Sequence, residues 1–197
     1  MKKIISFIIR YIPRPILQRV SPIGLSIMAK VNRGDTVHCN VCETGYKKFL
    51  PYGRVARANA LCPNCLALER HRLMWLFLKE KTEFFQKPLK VLHVAPEHCF
   101  IDRFEALENL EYITADIESP LAKVKMDVHD IPFEDNTFDV IFCNHVLEHV
   151  DDDMRVCSEF NRVLKPDGWG ILQSPVYDLP ETLEDPSITD PAEREKA

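Results

Sequence analysis

The chain has 197 residues, of which 46% are hydrophobic and 28% are charged, and its formal net charge is −5. Seven cysteines, an odd number in a chain of this length, exclude a secreted disulfide scaffold and predict a reducing, cytoplasmic compartment. Residues 1–34 carry seven Lys and Arg and no acid, whereas residues 88–197 carry nine Lys and Arg and twenty-five Asp and Glu. This uneven charge predicts separate modules with different partners.

Residues 1–34 form a basic, amphipathic N-terminal segment. Lys3, Ser6 and Arg10 mark a narrow polar edge with helical spacing, and prolines interrupt the segment from position 13 onward. No apolar run approaches the ~20 residues that are needed to span a bilayer. Two alternatives stay open. The segment either lies on an anionic membrane surface as a peripheral contact, or it packs as a helix on the main domain.

Residues 35–87 contain two Cys-x2-Cys pairs, Cys39/Cys42 and Cys62/Cys65, separated by nineteen residues. This spacing is typical of a zinc-ribbon-like site, because each short turn directs two thiolates at one ion and two turns complete a tetrahedron. Four protein ligands leave no open position, so the predicted zinc is structural. The rest of the module, residues 67–87, has the pattern of an amphipathic helix. The alternative is two coincidental pairs of buried thiols.

Basic and aromatic residues surround the four cysteines. Together they could contact the phosphates and bases of a nucleic acid, and the alternative is an ordinary solvated face around a zinc ribbon. The set comprises Lys47, Lys48, Arg54, Arg57, Arg70 and Arg72, with Tyr46, Phe49 and Tyr52 interleaved.

From residue 88 onward, short apolar strands alternate with helices. This alternation predicts an α/β fold with a doubly wound, mainly parallel sheet. In such sheets, ligands bind beyond the carboxyl ends of the strands. Strands are predicted at 89–95, 111–116, 123–127, 138–144 and 169–175, and helices at 99–108 and 151–164.

Two acids close neighbouring predicted strands, Asp116 the second strand and Asp127 the third. A carboxylate about twenty residues after the first turn can accept hydrogen bonds from both hydroxyls of a ribose. The second acid could face an adenine edge. The pair therefore predicts a site for an adenosine-bearing ligand, and the alternative for each acid is a helix N-cap.

The stretch VHDIPFEDNTFDVIFCNHVLEHVDDDMRVCSEFNRVLKPDGWGILQSPV resembles the central part of class I S-adenosylmethionine-dependent methyltransferases of type 11. The matching motifs are Ile-Pro-Phe, Phe-Asp-Val, Leu-Glu-His and Arg-Val-Leu-Lys-Pro, and the resemblance extends from residue 90 to about residue 176. It implies a Rossmann-like sheet, S-adenosylmethionine as cofactor, and methyl transfer. A four-cysteine zinc module ahead of such a domain also occurs among ribosomal RNA methyltransferases.

The first turn departs from the family pattern of an acid followed by Gly-x-Gly-x-Gly. His93 takes the place of the acid, and Ala95, Glu97 and Cys99 take the places of the three glycines. Glycine permits a positive φ and close approach of the backbone to a ligand. Ala95 is the mildest substitute, and Glu97 is predicted to reach the α-ammonium group of the cofactor. The predicted cofactor contacts are His93, Ala95, Glu97, Asp116, Ile117, Asp127, Val128 and Asn144.

His145 is the predicted general base, needed only when the methyl acceptor must lose a proton, because an unperturbed histidine has a pKa of about 6.5. Asn144 is predicted to orient the acceptor through its amide. The alternative is that both residues simply end a strand. At the level of the whole protein, the rival to a methyltransferase is a catalytically inactive, zinc-containing module that binds nucleic acid or protein.

The resemblance also implies further strands after the fifth, but residues 177–197 show no strand pattern. We therefore expect either a domain that is incomplete at its C-terminus or a partner chain that completes the sheet. The methyl acceptor stays open between RNA, a small molecule, and a lipid or glycan intermediate.

Overall fold

The computed structural model describes residues 27–53, 55–175 and 188. Most of the segment 1–34, with its predicted membrane contact, and most of the stretch 177–197 lie outside the described residues. Within the described ranges, no helix has the length and apolar character needed to cross a membrane. The chain divides into two compact units, Met1–Glu83 and Phe84–Ala197. The assignment of separate functions to residues 1–34, 35–87 and 88–197 stays a prediction.

The first unit contains two antiparallel hairpins followed by a helix. Strands β1 (Arg33–Cys39) and β2 (Thr44–Tyr46) form the first hairpin. Strands β3 (Leu50–Tyr52) and β4 (Arg57–Leu61) form the second. Helix α1 spans Glu69–Lys81.

Helix α1 is shorter than the predicted span 67–87. It ends where the backbone of Thr82 becomes extended and the hydroxyl of Thr82 donates to the carbonyl oxygen of Leu78 at 2.7 Å. The buried side chains of the helix are His71, Met74 and Leu78. Their spacing of three and four residues is that of one helix face. Leu73 and Leu76, which belong to the predicted apolar pattern, lie off this face and are 64% and 40% exposed.

The second unit is built on a parallel sheet of five strands. The strands lie in the order β7-β6-β5-β8-β9, and every neighbouring pair is parallel. The order reverses between β5 and β8, which makes this junction the topological switch point. The elements are β5 (Leu89–Val94), α2 (His98–Glu105), β6 (Leu110–Asp116), β7 (Val124–Lys125), β8 (Phe138–Asn144), a 3-10 helix (Leu147–His149), α3 (Asp153–Val163) and β9 (Leu164–Gln173).

Successive side chains of β5 point to opposite faces of this sheet. Leu92 and Val94 belong to an aliphatic cluster that includes Val156 and Phe160 of α3. His93 instead lies among aromatic rings, with the Phe104 ring of α2 at 6.5 Å between centroids. Helices therefore cover both faces, and the predicted Rossmann-like, doubly wound fold is confirmed.

Two strands differ from their predicted bounds. Strand β7 is only Val124–Lys125, so Asp127 lies beyond the strand rather than at its end. Strand β9 begins at Leu164 rather than at residue 169, because it pairs with Phe138 there and again at Trp169 with Val140. The residues 165–168 between these two pairings bulge out of the regular register.

Arg162 of α3 fixes the segment between β7 and β8. Its guanidinium group donates to the carbonyl oxygens of Ile131 and Phe133 at 2.9 and 2.8 Å, and to both carboxylate oxygens of Glu159. These bonds from Arg162 lower the pKa of Glu159 to about 2. The guanidinium thus adds to the backbone hydrogen bond from Phe133 to Ile131 at 2.8 Å and holds this non-regular segment in place.

Candidate functional site at the carboxyl end of the sheet

The residues that follow β5 and β8 share an uncommon backbone conformation. Ala95 has a φ of 48° and His145 a φ of 57°, although neither is glycine. Such values are uncommon outside glycine and concentrate at functional sites. The backbone N–H of Ala95 donates to the carbonyl of Ala115 at 2.9 Å, and that of His145 donates to the carbonyl of Gln173 at 2.7 Å. Both turns therefore lie at the switch point, and each is hydrogen-bonded to a neighbouring strand.

The Glu97 carboxylate joins the ends of the two strands at this junction. Its Oε2 lies 2.5 Å from Nε2 of His93, on β5, and its Oε1 accepts from the amide Nδ2 of Asn144, on β8, at 2.9 Å. The other ring nitrogen of His93, Nδ1, lies 2.7 Å from the hydroxyl of Tyr112 on β6. Burial, and next the charge of Glu97, raise the pKa of Tyr112. Four side chains thus form one hydrogen-bonded chain across three strands.

Asp116 closes β6 as predicted, and its Oδ1 accepts from the backbone N–H groups of Glu118 and Ser119 at 2.8 and 2.7 Å. Both bonds end on the same oxygen, so the local turn does not use Oδ2. The neighbouring Ile117 is 57% exposed. This strand end therefore offers a carboxylate oxygen and an apolar surface side by side.

Asp127 is exposed, and its Oδ1 accepts from both the backbone N–H and the ring Nδ1 of His129, at 2.9 and 2.7 Å. These two bonds, the backbone bond first, lower the pKa of Asp127. The adjacent Val128 is buried in the aliphatic cluster of the core. Neither residue is linked to the Glu97 chain by a contact among the described residues.

His145 forms a pair with an acid of the following 3-10 helix. Its Nδ1 lies 3.0 Å from Oε1 of Glu148, and both side chains are partly buried. An N–H on Nδ1 would donate to this carboxylate and leave Nε2 as a proton acceptor. Asn144 is 5% exposed, and its Nδ2 donates a hydrogen bond to Glu97. This N–H group therefore does not face solvent, where an acceptor would bind.

The predicted residues thus separate into two groups. His93, Ala95, Glu97, Asn144 and His145 meet at the switch point, whereas Asp116, Ile117, Asp127 and Val128 lie along the next two strand ends. Sequence reasoning missed Tyr112 and the pairing of Glu148. In the sequence, a tyrosine inside an apolar strand cannot be told from an ordinary core residue. Glu148 could have been found, because its spacing of three residues from His145 allows the two side chains to meet.

The four cysteines of the first unit form one cluster. Their sulfur atoms all lie within 4.8 Å of one another, with 3.6 Å between Cys39 and Cys65 and 3.7 Å between Cys42 and Cys62. All four are free thiols. Sulfurs held about 2.3 Å from one tetrahedral zinc ion would lie ~3.8 Å apart. The donor set and its spacing therefore fit a zinc ion.

The two cysteine turns repeat one backbone geometry. Glu43 follows Cys42 with a φ of 51°, and Leu66 follows Cys65 with a φ of 63°. Hydrogen bonds from the neighbouring thiols, first from Cys39, lower the pKa of Cys42. A thiolate is the form that binds a metal. Hydrogen bonds with Cys39 raise the pKa of Cys62 and Cys65, so the sulfurs alone favour a thiolate at Cys42 but not at all four positions.

Part of the basic surface around the cysteines is structural. Arg72 donates through Nη1 to the carbonyl oxygens of Ala60 and Ala67, at 3.0 and 2.8 Å, and lies 4.3 Å over the ring of Phe49. Arg57 pairs with Glu69 at 3.3 Å. Of the aromatic residues named above, Tyr46 and Phe49 are buried and Tyr52 is 47% exposed. These contacts favour the solvated face over the nucleic-acid interface.

Residues 90–172 match the family model described as a methyltransferase domain. The tRNA U34 carboxymethyltransferase of Nautilia profundicola is 33% identical over 96 residues, which cover 49% of this chain and 30% of that protein. An uncharacterized methyltransferase of Schizosaccharomyces pombe is 31% identical over 81 residues, covering 41% of this chain and 29% of its own. The chain thus spans under a third of the length of these curated relatives.

Among solved structures, a SAM-dependent methyltransferase from Aquifex aeolicus aligns with a TM-score of 0.44 and 18% identity, over 57% of this chain and 69% of that chain. A protein from Pyrococcus horikoshii aligns with a TM-score of 0.39 and 26% identity, over 53% of this chain and 57% of its own. Residues 90–172 thus match a methyltransferase domain, and the parallel sheet that they build is the Rossmann-like fold that the sequence predicts for it.

Proposed function

We propose that the protein is an S-adenosylmethionine-dependent methyltransferase that transfers a methyl group to an acceptor by in-line displacement. The observation that supports this most strongly is the φ of 48° at Ala95. The first turn lacks the glycines of the family, yet Ala95, at the first of the three glycine positions, has the positive φ that glycine normally provides, whereas Glu97 at the second has a φ of −76°. This supports the methyltransferase over the rival, a catalytically inactive, zinc-containing module that binds nucleic acid or protein.

The cofactor would lie across the carboxyl ends of β5, β6 and β8. Asp116 would accept hydrogen bonds from the ribose hydroxyls, and Ile117 would pack against the adenine. Glu97 would attract the positively charged end of the cofactor, next to Ala95 and His93. Asp127 and Val128 would border the adenine from the far side.

S-adenosylmethionine, when bound, supplies a methyl group that is already activated on a sulfonium. The protein then has to align the acceptor and, where the acceptor loses a proton, to receive that proton. We assign the latter role to Nε2 of His145, whose ring Glu148 orients through Nδ1 at 3.0 Å. Asn144 lies on the cofactor side in this proposal, because its Nδ2 is bonded to Glu97.

The first unit would hold one structural zinc ion through Cys39, Cys42, Cys62 and Cys65. The spacing of their sulfur atoms supports a closed site with four thiolate ligands. Such a site would stabilise the two hairpins, which have short strands and a small core.

Isothermal titration of the full, zinc-loaded chain with S-adenosylmethionine tests the cofactor assignment. We expect saturable binding by the wild type and roughly ten- to hundredfold weaker binding by Asp116→Asn, which keeps the acceptor at Oδ1 but removes the charge. Asp167→Ala is the matched control, because this exposed acid lies in the bulge at the opposite end of the sheet. Absence of binding by the wild type would contradict the proposed function.

Assay of labelled methyl transfer identifies the acceptor. The protein is incubated with labelled cofactor and with fractionated RNA, protein, lipid and small metabolites. The fraction that incorporates the label identifies the chemical class of the methyl acceptor. The Nautilia relative is a tRNA U34 carboxymethyltransferase by name, so the RNA fraction is the first to test. Where the acceptor has to lose a proton, His145→Gln should slow incorporation about 10²- to 10⁴-fold while leaving cofactor affinity unchanged.

A further inference from the structure

We infer that Tyr112 is a positioning residue for S-adenosylmethionine, acting through His93 on the Glu97 carboxylate. This inference rests on the proposed function and extends it to a residue that does not reach the site itself. Its basis is the hydrogen-bonded chain in which the Tyr112 hydroxyl lies 2.7 Å from Nδ1 of His93 and Nε2 of His93 lies 2.5 Å from Glu97.

With Glu97 ionised and the His93 ring neutral, the protons of this chain have one consistent arrangement. An ionised Glu97 can only accept, so Nε2 of His93 carries a hydrogen and donates it to the carboxylate. In the neutral ring Nδ1 is then the acceptor, and the Tyr112 hydroxyl donates to it. Asn144 donates to the second carboxylate oxygen at 2.9 Å. Every donor in the chain is therefore directed toward the carboxylate of Glu97.

The surroundings of the chain do not favour polar groups. His93 is completely buried, and the rings of Phe100, Phe104 and Phe142 lie 6.3, 6.5 and 5.5 Å from its own ring between centroids. Burial of a hydroxyl or an imidazole is costly unless it is hydrogen-bonded. An apolar side chain would fill this aromatic layer equally well. The polar chain therefore indicates a task outside the layer, and Glu97, with a side chain 14% exposed, is the member that reaches the surface.

The position of Glu97 in the sheet indicates this task. Its partners lie on β5 and β8, so the carboxylate spans the switch point at which a doubly wound sheet binds its ligand. S-adenosylmethionine carries two cationic groups, the sulfonium and the α-ammonium. A carboxylate that is already fixed in place loses little conformational freedom when it binds a cation.

Removal of the Tyr112 hydroxyl would disturb this arrangement without touching the ligand. Nδ1 of His93 would be left buried without its donor. Nε2 would keep its hydrogen and its bond to the Glu97 carboxylate, but the ring would lose the bond that fixes its orientation at the other end, and Glu97 would be held by a less firmly positioned partner. The carboxylate would keep its charge but not its fixed position.

The test is a double-mutant cycle measured by titration with S-adenosylmethionine. Tyr112→Phe removes one oxygen and should weaken binding about three- to tenfold, the effect of one lost hydrogen bond. Glu97→Gln should weaken it more. If Tyr112 acts through Glu97, the Tyr112→Phe/Glu97→Gln protein binds no more weakly than Glu97→Gln alone. Val163→Ala, a buried change on the other face of the sheet, should lower stability but leave affinity unchanged.

Nitrogen NMR of the His93 ring gives a second readout, which a merely structural tyrosine would not move. The wild type should show hydrogen on Nε2, and its Nε2 resonance, which reports the bond to Glu97, should shift when S-adenosylmethionine binds. In Tyr112→Phe this shift on binding should be smaller. Unchanged affinity in Tyr112→Phe, or equal weakening by this change with and without Glu97→Gln, would overturn the inference while leaving the proposed function intact. Absence of binding by the wild type would overturn both.

Discussion

Ala95 occupies, at a φ of 48°, a conformation that costs an L-residue about 1 kcal/mol or more. Ala95→Gly should therefore raise the free energy of unfolding of the second unit by up to ~1 kcal/mol, and cofactor affinity should be retained. Ala95→Val should lower it by more than ~1 kcal/mol, because a β-branched residue tolerates this region poorly. Urea denaturation followed by the fluorescence of Trp169, in a Trp75→Phe background, measures both.

The control for this prediction is Ala115→Gly on the neighbouring strand β6. Ala115 is fully buried and is not among the residues with a positive φ. The same change there should destabilise by ~1 kcal/mol or more, since glycine costs conformational entropy and the methyl group is lost. Destabilisation of equal size at both positions would show that the conformation of residue 95 is not strained.

At single positions, the sequence was most informative where chemistry and spacing agreed. The four cysteines are predicted to meet because each pair closes a short turn, and their sulfur atoms do cluster. Glu97 was predicted near the cofactor, but the sequence offered no sign that His93 and Asn144 would fix its carboxylate. A side chain's hydrogen-bond partner depends on which strands become neighbours, and this is settled by tertiary structure.

At the scale of elements, Gly168 shows why β9 begins with an irregular pairing. A Cβ at this position would lie 2.9 Å from Cδ2 of Leu164, 3.0 Å from the carbonyl oxygen of Lys165 and 3.1 Å from that of Phe138. Two of these three neighbours are backbone and cannot move aside cheaply. Gly168→Ala should therefore destabilise the second unit by about 1–3 kcal/mol, the usual cost of overpacking.

Gly170 provides the matched control on the same strand. A Cβ there would have its nearest neighbour, the carbonyl oxygen of Ile141, at 3.4 Å, which is an ordinary contact. Gly170→Ala should change the free energy of unfolding by less than ~0.5 kcal/mol. The same urea denaturation compares the two variants, and equal effects would show that the bulge at residues 165–168 relaxes to accept a side chain.

Elements with strong periodicity could be predicted, and weakly patterned ones could not. The bounds of β8 are those predicted, 138–144, because the strand contains the buried apolar run 140–143 and lies inside the sheet. Strand β7 is only Val124–Lys125, because these two residues alone pair with the end of β6, at Ala115 and Asp116. Strand β9 begins early because Leu164 pairs with Phe138. The sequence does not predict this pairing, because Pro166 and Gly168 are residues that normally interrupt a strand.

At the scale of the whole molecule, the two units are expected to depend on different sources of stability. The second unit has a continuous apolar core on either face of its sheet, whereas the first has two hairpins of short strands around four thiols. Removal of zinc by a strong chelator, or by Cys39→Ser, should therefore unfold the hairpins, because metal binding supplies much of the folding free energy of such modules. Hydrogen exchange should show fast exchange across residues 33–65 and retained protection in β5 and β8.

Cys157→Ser is the control, because Cys157 is exposed on α3 and is not part of the cluster. This variant should hold about one equivalent of zinc per chain, as the wild type does, while Cys39→Ser should hold far less, since a closed structural site needs all four ligands. A wild type with less than about half an equivalent, or equal zinc contents in the two variants, would contradict the zinc assignment. Retained protection of residues 33–65 after full chelation would instead show that the hairpins fold without the metal.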